Sequence, residues 1–460
     1  MKKSCALFLA LMLLFALPAS GESVFRHRLN PKRTPGLAEF QAAHPELRLV
    51  VDETQYDDWG RMSASLITGQ VTSDAFPLST FSDDCAQVFA KGYCLDLSGS
   101  LELAAMVARM HESIQAQVIK EGRLYALPVS LMFSCSVIDP GAFAEAGLTT
   151  ADIPRSFPAL LDFLDAWCLR QEGSAPLPIR VRSNWVPELY SAGSYTAWLT
   201  ALLIDSHILQ QEHAGQPLRF HTPELLALLT RIQQVCARIY RVEPPPGSQG
   251  TGEGLGLMNE TSAGDFTSRW PRQADNLMFL PVNDSQPRLL AAALNMQVVN
   301  ARSAFPEAGT ALLVSLGQHA LEDQRVFLYR DAAPLINPSY EQNISIIQNN
   351  ITKIEEALNN GTLTMSDRQD LEAQLRKYQL MLAENQADER KYLMTATQLK
   401  DYAALAADFV FLKPGYFSFG KDRYFLSQTI DRFAAGQQSA EGLLQELDRV
   451  VRMMAQEGGG

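Results

Sequence analysis

Residues 121–148, EGRLYALPVSLMFSCSVIDPGAFAEAGL, are the stretch on which the reading of this chain turns. Glu121-Gly122-Arg123 makes a tight turn, because Gly122 takes a positive φ at no steric cost. From Leu124 to Ile138 the residues are mostly apolar, broken by Pro128 and small polar side chains. Proline lacks a backbone donor, so two extended pieces are expected, one on either side of Pro128. Asp139-Pro140-Gly141 stops the run, and 142–146 make a short helix that Gly147 can cap. So long an extended run is either a crossing between two compact regions or a buried strand of an ordinary α/β domain.

The start of the chain reads as an export signal. Lys2 and Lys3 precede an apolar run over 6–17, and Pro18-Ala19-Ser20-Gly21 supplies a small-x-small cleavage site. The run is too short to span a bilayer, which needs about 20 apolar residues. The one early cysteine, Cys5, stands before that run, so no lipidation box is expected and the exported protein is expected to be soluble, periplasmic or extracellular. Cleavage after residue 21 leaves 37 basic and 51 acidic side chains, a net charge of −14. That balance argues against nucleic acid or an anionic membrane as partner, since both reward positive charge. A remaining length of 439 residues exceeds what one core usually holds, so two domains are expected. The five cysteines left (85, 94, 135, 168 and 236) have no zinc spacing. Cys85 and Cys94 are the nearest pair for a disulfide, the alternative being plain buried thiols.

Ahead of the central stretch, helical and apolar extended segments alternate. Strands are expected over 24–29, 47–51 and 74–80, and helices over 37–44 and from Asp57 through Trp59, Met62 and Leu66. This alternation implies an α/β domain with a mainly parallel sheet. The loop after the third strand, Thr80-Phe81-Ser82-Asp83-Asp84, lies where open α/β sheets bind ligands. Asp83 and Asp84 can accept hydrogen bonds from a polyol or cap the helix that follows, and Phe81 can serve the site or the core.

Taken in order, several segments resemble the extracellular solute-binding proteins of ABC transporters, in the sugar-binding branch that includes maltodextrin-binding proteins. Leu-Tyr-Ala-Leu-Pro-Val at 124–129, with Phe143 to Leu148 after it, resembles the family's first hinge. His-Pro-Glu-Leu-Arg-Leu-Val-Val at 44–51, Gly92 to Ser98, LMFLPV at 277–282, Ser303 and the closing helix pair from Gln428 are similar to further landmarks. The resemblance implies two α/β lobes of the type II binding-protein architecture. It places 22–131 with 291–330 in one lobe, and 132–290 with 331–460 in the other. Crossings are expected near 126–137, 290–299 and 328–338. It implies aromatic faces for stacking on sugar rings: Trp270, then Trp185, with Glu188 nearby. Trp270 is preceded by Ser268-Arg269 where relatives have Gly-Pro. The implied partners are a sugar or oligosaccharide and the permease subunits of a transporter, the binding protein being a monomer without a cofactor.

Residues 341–395 depart from that pattern. Ile344, Ile347, Ile351, Ile354 and Leu358 repeat at heptad spacing, and Leu371, Leu375, Tyr378 and Leu382 form a second seam. An antiparallel helical hairpin inserted in the second lobe is expected, its second helix opening at Ser366 with Gln369 completing a capping box. It serves either as a buttress or as a protein-contact face, the latter suiting a sensor or scaffold. No HExxH, GxSxG or P-loop is present, and the Gly-rich 252–256 lacks the Lys-Ser/Thr of a phosphate loop. A carboxylate pair acting as a glycosidase is the remaining enzymatic alternative.

Overall fold

The computed structural model describes residues 23–30, 34–52, 62–80, 85–138, 143–144, 146–170, 195–242, 258–262, 277–359, 364–386, 391–407, 409–411 and 421–457. The first elements are strand β1 (Ser23–His27), helix α1 (Leu37–Ala43), β2 (Leu47–Val51), α2 (Met62–Ile67), β3 (Ala75–Ser79) and α3 (Cys85–Ala90). β1 pairs in parallel with both β2 and β3, as the alternation of helices and strands predicts. Asp74, just before β3, accepts hydrogen bonds from the Arg26 amide at 2.8 Å and the Ser303 hydroxyl at 2.6 Å. One buried carboxylate thereby ties β1 to the loop that follows a strand more than two hundred residues later.

Helices α4 (Leu101–Ala108) and α5 (Glu112–Val118) lead to the two-residue strands β4 (Ile119–Lys120) and β5 (Arg123–Leu124). Glu121 and Gly122 between them have φ of 51° and 76°. Both central residues are left-handed, the requirement of a hairpin turn whose twist matches its strands. Then comes β6 (Leu127–Ile138), a single strand rather than two pieces. Pro128 is its second residue, and the register shift between Pro128 and Ser130 absorbs the missing donor in a bulge. Of the short helix expected at 142–146, residues 142 and 145 lie outside the described residues.

Next come α6 (Phe157–Arg170), α7 (Tyr195–His213), α8 (Pro223–Val242), β7 (Met258–Ser262), β8 (Leu277–Met278) and β9 (Leu290–Val299). β9 pairs antiparallel with β3 on one side and with β6 on the other, and β7 and β8 pair with the far half of β6. The sheet order is therefore β2-β1-β3-β9-β6-β7. The remaining elements are α9 (Pro306–Gln318), α10 (Glu322–Leu328), β10 (Leu335–Ile336), α11 (Tyr340–Asn359), α12 (Met365–Gln386), β11 (Tyr392–Met394), α13 (Ala396–Ala406), β12 (Phe409–Phe411), α14 (Lys421–Ala434) and α15 (Ala440–Glu457).

Two separate apolar clusters form. The first includes Phe25, Phe40, Phe76, Leu131, Phe133, Leu294, Met296, Phe327 and Tyr402. The second includes Ile138, Phe157, Leu161, Leu203, Ile232, Met278, Ala293, Ile430 and Leu444. β6 and β9 serve both: Val137 belongs to the first and Ile138 to the second, Leu294 to the first and Ala293 to the second. In the second cluster, Arg231 and Arg238 of α8 pair with Asp162 and Asp165 of α6.

The boundary expected at residue 331 is corrected by the packing. Leu335, Met394, Tyr402, Ala406, Phe409 and Phe411 all join the first cluster. The Tyr402 hydroxyl donates to the Phe327 carbonyl at 2.9 Å, and its ring lies edge-on to Phe327 with centroids 5.2 Å apart. β12 runs parallel to β9 beside Leu290–Ala292. The chain passes from the first core to the second between Phe411 and Leu426, not near 328–338. The helical hairpin α11–α12 accordingly rises between β10 and β11, which pair with each other on the first core rather than the second. Its seam is as the heptads predict, with Ile347 and Ile354 buried. Its second helix is capped by Thr364 and Asp367, which exchange hydrogen bonds at 2.6 and 3.2 Å, instead of by Ser366 and Gln369. Cys85, Cys94, Cys168 and Cys236 are buried and in no disulfide, so Cys85 and Cys94 are not bridged to each other. Burial pushes the Cys236 thiol up to about 11, which makes it a poor nucleophile.

Candidate functional site

Side chains alternate across a strand, so β9 has two faces. Leu290, Ala292, Leu294, Met296 and Val298 point one way, and all lie in the first core. The other face carries Val299 in the first core, Gln297, Asn295, and Ala293 in the second core. Helix α9 covers the Val299 end of this face. A Cβ on its Gly309 would sit 2.6 Å from Val299 Cγ1, and one on Gly317 would come within 3.5 Å of Leu127, the partner of Gln297. Glycine at both positions lets the helix lie close on the sheet. That cover ends at Gln318, and the second core starts at Ala293. Asn295 stands between them.

Register places two serines beside it. Ser79 on β3 and Ser130 on β6 both pair with Asn295, so Ser79, Asn295 and Ser130 form a row across three strands. Asn295 Nδ2 donates to Ser130 Oγ at 3.0 Å. All three residues are half-buried. One position further along, Met132 opposite Ala293 is 36% exposed, and Gln297 on the other side is 8% exposed. Asn295 and Ser130 thus form a neutral, hydrogen-bonding pair with an apolar neighbour, between the two cores and on the strands they share. Ser79 stands beside them on a strand of the first core, its hydroxyl oxygen buried. The row carries no ionisable group, so it suits an uncharged ligand better than an ion.

Two loops leave the same sheet near this row. At the end of β3, the Thr80 amide donates to the Leu294 carbonyl at 3.0 Å, and the Leu294 amide donates to Thr80 Oγ1 at 2.9 Å. Residues 81–84 begin immediately after. β7 ends at Ser262, opposite Ser134, and residues 263–276 begin there. Leu131 pairs with Leu294, so the two departure points differ by three residues along the strand direction, about 10 Å at ~3.3 Å per residue, and by three strand spacings across the sheet, about 14 Å at ~4.8 Å each. Phe81, Asp83 and Asp84, Trp185 and Glu188, and Trp270 lie outside the described residues. The attachment points of the 81–84 and 263–276 segments lie on one sheet, three strands apart; Trp185 and Glu188 lie within 171–194, which precedes Tyr195 at the start of α7. Sequence reading missed Ser130, Asn295 and Gln297. The available signal was polar residues recurring two apart on one face of otherwise apolar strands.

A shallow groove of about 540 Å³ lies elsewhere, between α8 and the turn joining α14 to α15, lined by Leu226, Thr230, Gln233, Gln438 and Glu441 among others. Among the described residues no group of three or more His, Cys, Asp or Glu side chains could hold a metal ion. No helix among them is long and apolar enough to cross a membrane.

No protein-family profile matches this chain, and neither does any curated protein. Solved structures do. A chitin oligosaccharide binding protein is similar at 14% identity and a TM-score of 0.51, covering 94% of this chain and 99% of its own. The cyclic α-maltosyl-1,6-maltose binding protein of Arthrobacter globiformis has 14% identity and a TM-score of 0.50, covering 93% and 97%. A protein described with xylan utilization by Caldanaerobius polysaccharolyticus has 11% identity and a TM-score of 0.50, covering 93% and 99%. The chain has the two-lobed binding-protein fold. At these identities the likeness is one of fold, and it extends over nearly the whole chain.

Proposed function

We propose that this protein is an exported solute-binding protein that captures a carbohydrate between its two lobes and hands it to the permease subunits of an ABC transporter. The observation that carries this reading is the neutral pair Asn295–Ser130, on the two strands common to both cores, with Ser79 of β3 beside it. A ligand resting there meets both lobes at once. Saccharides need apolar surface for their C–H faces and amide, hydroxyl or carboxylate partners for their hydroxyls. Trp270 and Trp185 are the proposed stacking platforms, with Phe81 beside them, and Asp83, Asp84 and Glu188 the proposed rim acceptors. Two of the similar structures are named for the saccharides they bind, which supports the same ligand class here. Residues 1–21 are the proposed export signal, the protein acts as a monomer, and binding is its whole activity: it is not a hydrolase.

The test is a thermal-shift and calorimetric screen with maltotriose, xylotriose, chitotriose, mannitol, amino acids and short peptides. A ligand at 100 times its Kd stabilises the protein by ~2.7 kcal/mol, a readily measured shift. A saccharide is expected to score. Stabilisation by amino acids or peptides alone refutes the carbohydrate reading, and release of reducing sugar during incubation refutes the binder.

A further inference from the structure

We propose that Asn295, oriented by Ser130, is a specificity residue of the crossing, selecting a neutral hydroxyl over a charged group on the ligand. This rests on the carbohydrate reading above. An asparagine amide offers a donor and an acceptor side by side, which matches a hydroxyl that does both. The hydrogen bond from Asn295 Nδ2 to Ser130 Oγ uses one amide proton and fixes the plane of the group. Its place is also fixed, because β9 pairs on both sides of it, to Ser79 and to Ser130. Cover by α9 ends on one side of Asn295 and the second core begins on the other, so this is where the face opens. On the reverse face Leu294 and Met296 pack into the first core, which gives the strand a rigid backing. Since β6 and β9 contribute to both cores, the contact is present whether the lobes are apart or together.

The experiment uses the full chain after export, calorimetry at pH 7, and four trisaccharide probes: maltotriose, xylotriose, chitotriose and the cationic glucosamine trimer. Asn295→Ala is expected to weaken the best neutral probe at least tenfold, and Ser130→Ala about threefold. Asn295→Asp keeps the shape and adds a negative charge. It is expected to raise the affinity ratio of the glucosamine trimer over the neutral probe at least tenfold, a change that a purely structural asparagine would not produce. If Asn295→Ala does not fold, the isosteric Asp variant decides the matter alone. Wild-type binding with all variants unchanged in affinity and ratio overturns this inference and leaves the carbohydrate reading standing. Wild-type failure to bind any of the four, with no other saccharide scoring in the wider screen, overturns both.

Discussion

His111 is 5% exposed, edge-on to Tyr402 with ring centroids 5.7 Å apart. Burial, helped by the Arg330 guanidinium, lowers its pKa from 6.5 to about 4. The unfolded chain therefore binds the extra proton between those two values, and stability follows. His111 contributes its full stabilisation above about pH 6.5, loses it progressively as the pH falls toward 4, and changes nothing further below. His27 and His207 are shifted in the same direction by burial, so acid weakens both cores. Urea unfolding of His111→Gln between pH 7 and 4 should show a shallower decline than the parent, by up to ~1.4 kcal/mol per pH unit. Parallel declines would contradict the assignment. For the site, Trp270→Ala is expected to weaken sugar binding at least tenfold, ~1.4 kcal/mol, with little change in the ligand-free melting temperature. A variant that melts far lower and binds normally once folded would make Trp270 a core residue. The site residues expected from sequence lie outside the described residues, and those the structure adds were not legible at this scale. Aromatic and acidic residues stand out in sequence because they are chemically distinctive, whereas Ser130 and Asn295 are single polar residues inside apolar runs, and only strand register reveals that they are neighbours.

Among the elements, the hairpin α11–α12 and the segment behind it carry the clearest lessons. The seam was legible because a heptad of Ile and Leu has one local solution. The cap was displaced by two residues because Thr364-x-x-Asp367 and Ser366-x-x-Gln369 both satisfy the same pattern, and only the chain's path chooses between them. The lobe that 331–411 joins was not legible at all: it depends on Tyr402 docking against Phe327, Phe133 and Phe409, a contact between distant segments. Tyr402→Phe removes one buried hydrogen bond to the Phe327 carbonyl and should cost about 1 kcal/mol, read as a lower urea midpoint with an unchanged slope. No loss would separate 396–411 from the first core. Replacing residues 341–390 with a short Gly-Ser linker joins β10 to β11 directly and should leave the sugar Kd within a few-fold. Complete loss of binding in a folded variant would place the hairpin at the site.

At the scale of the whole molecule, the α/β class followed from ordered apolar runs and turns and the expectation of two domains from length. The lobes and the two crossing strands were implied by the resemblance to solute-binding proteins. Apolar runs and turns are set by local backbone chemistry and survive in sequence. What the sequence could not supply was the division of the C-terminal third between the cores, or the face on which the crossing opens, since both are set by packing. We propose that the two cores sharing β6 and β9 close over a neutral saccharide at Asn295. Small-angle X-ray scattering of the exported protein, with and without a saturating concentration of the best-binding trisaccharide, tests it most directly. A smaller radius of gyration is expected on saturation, with the composition of the particle unchanged. Saturated binding with identical scattering curves would contradict it.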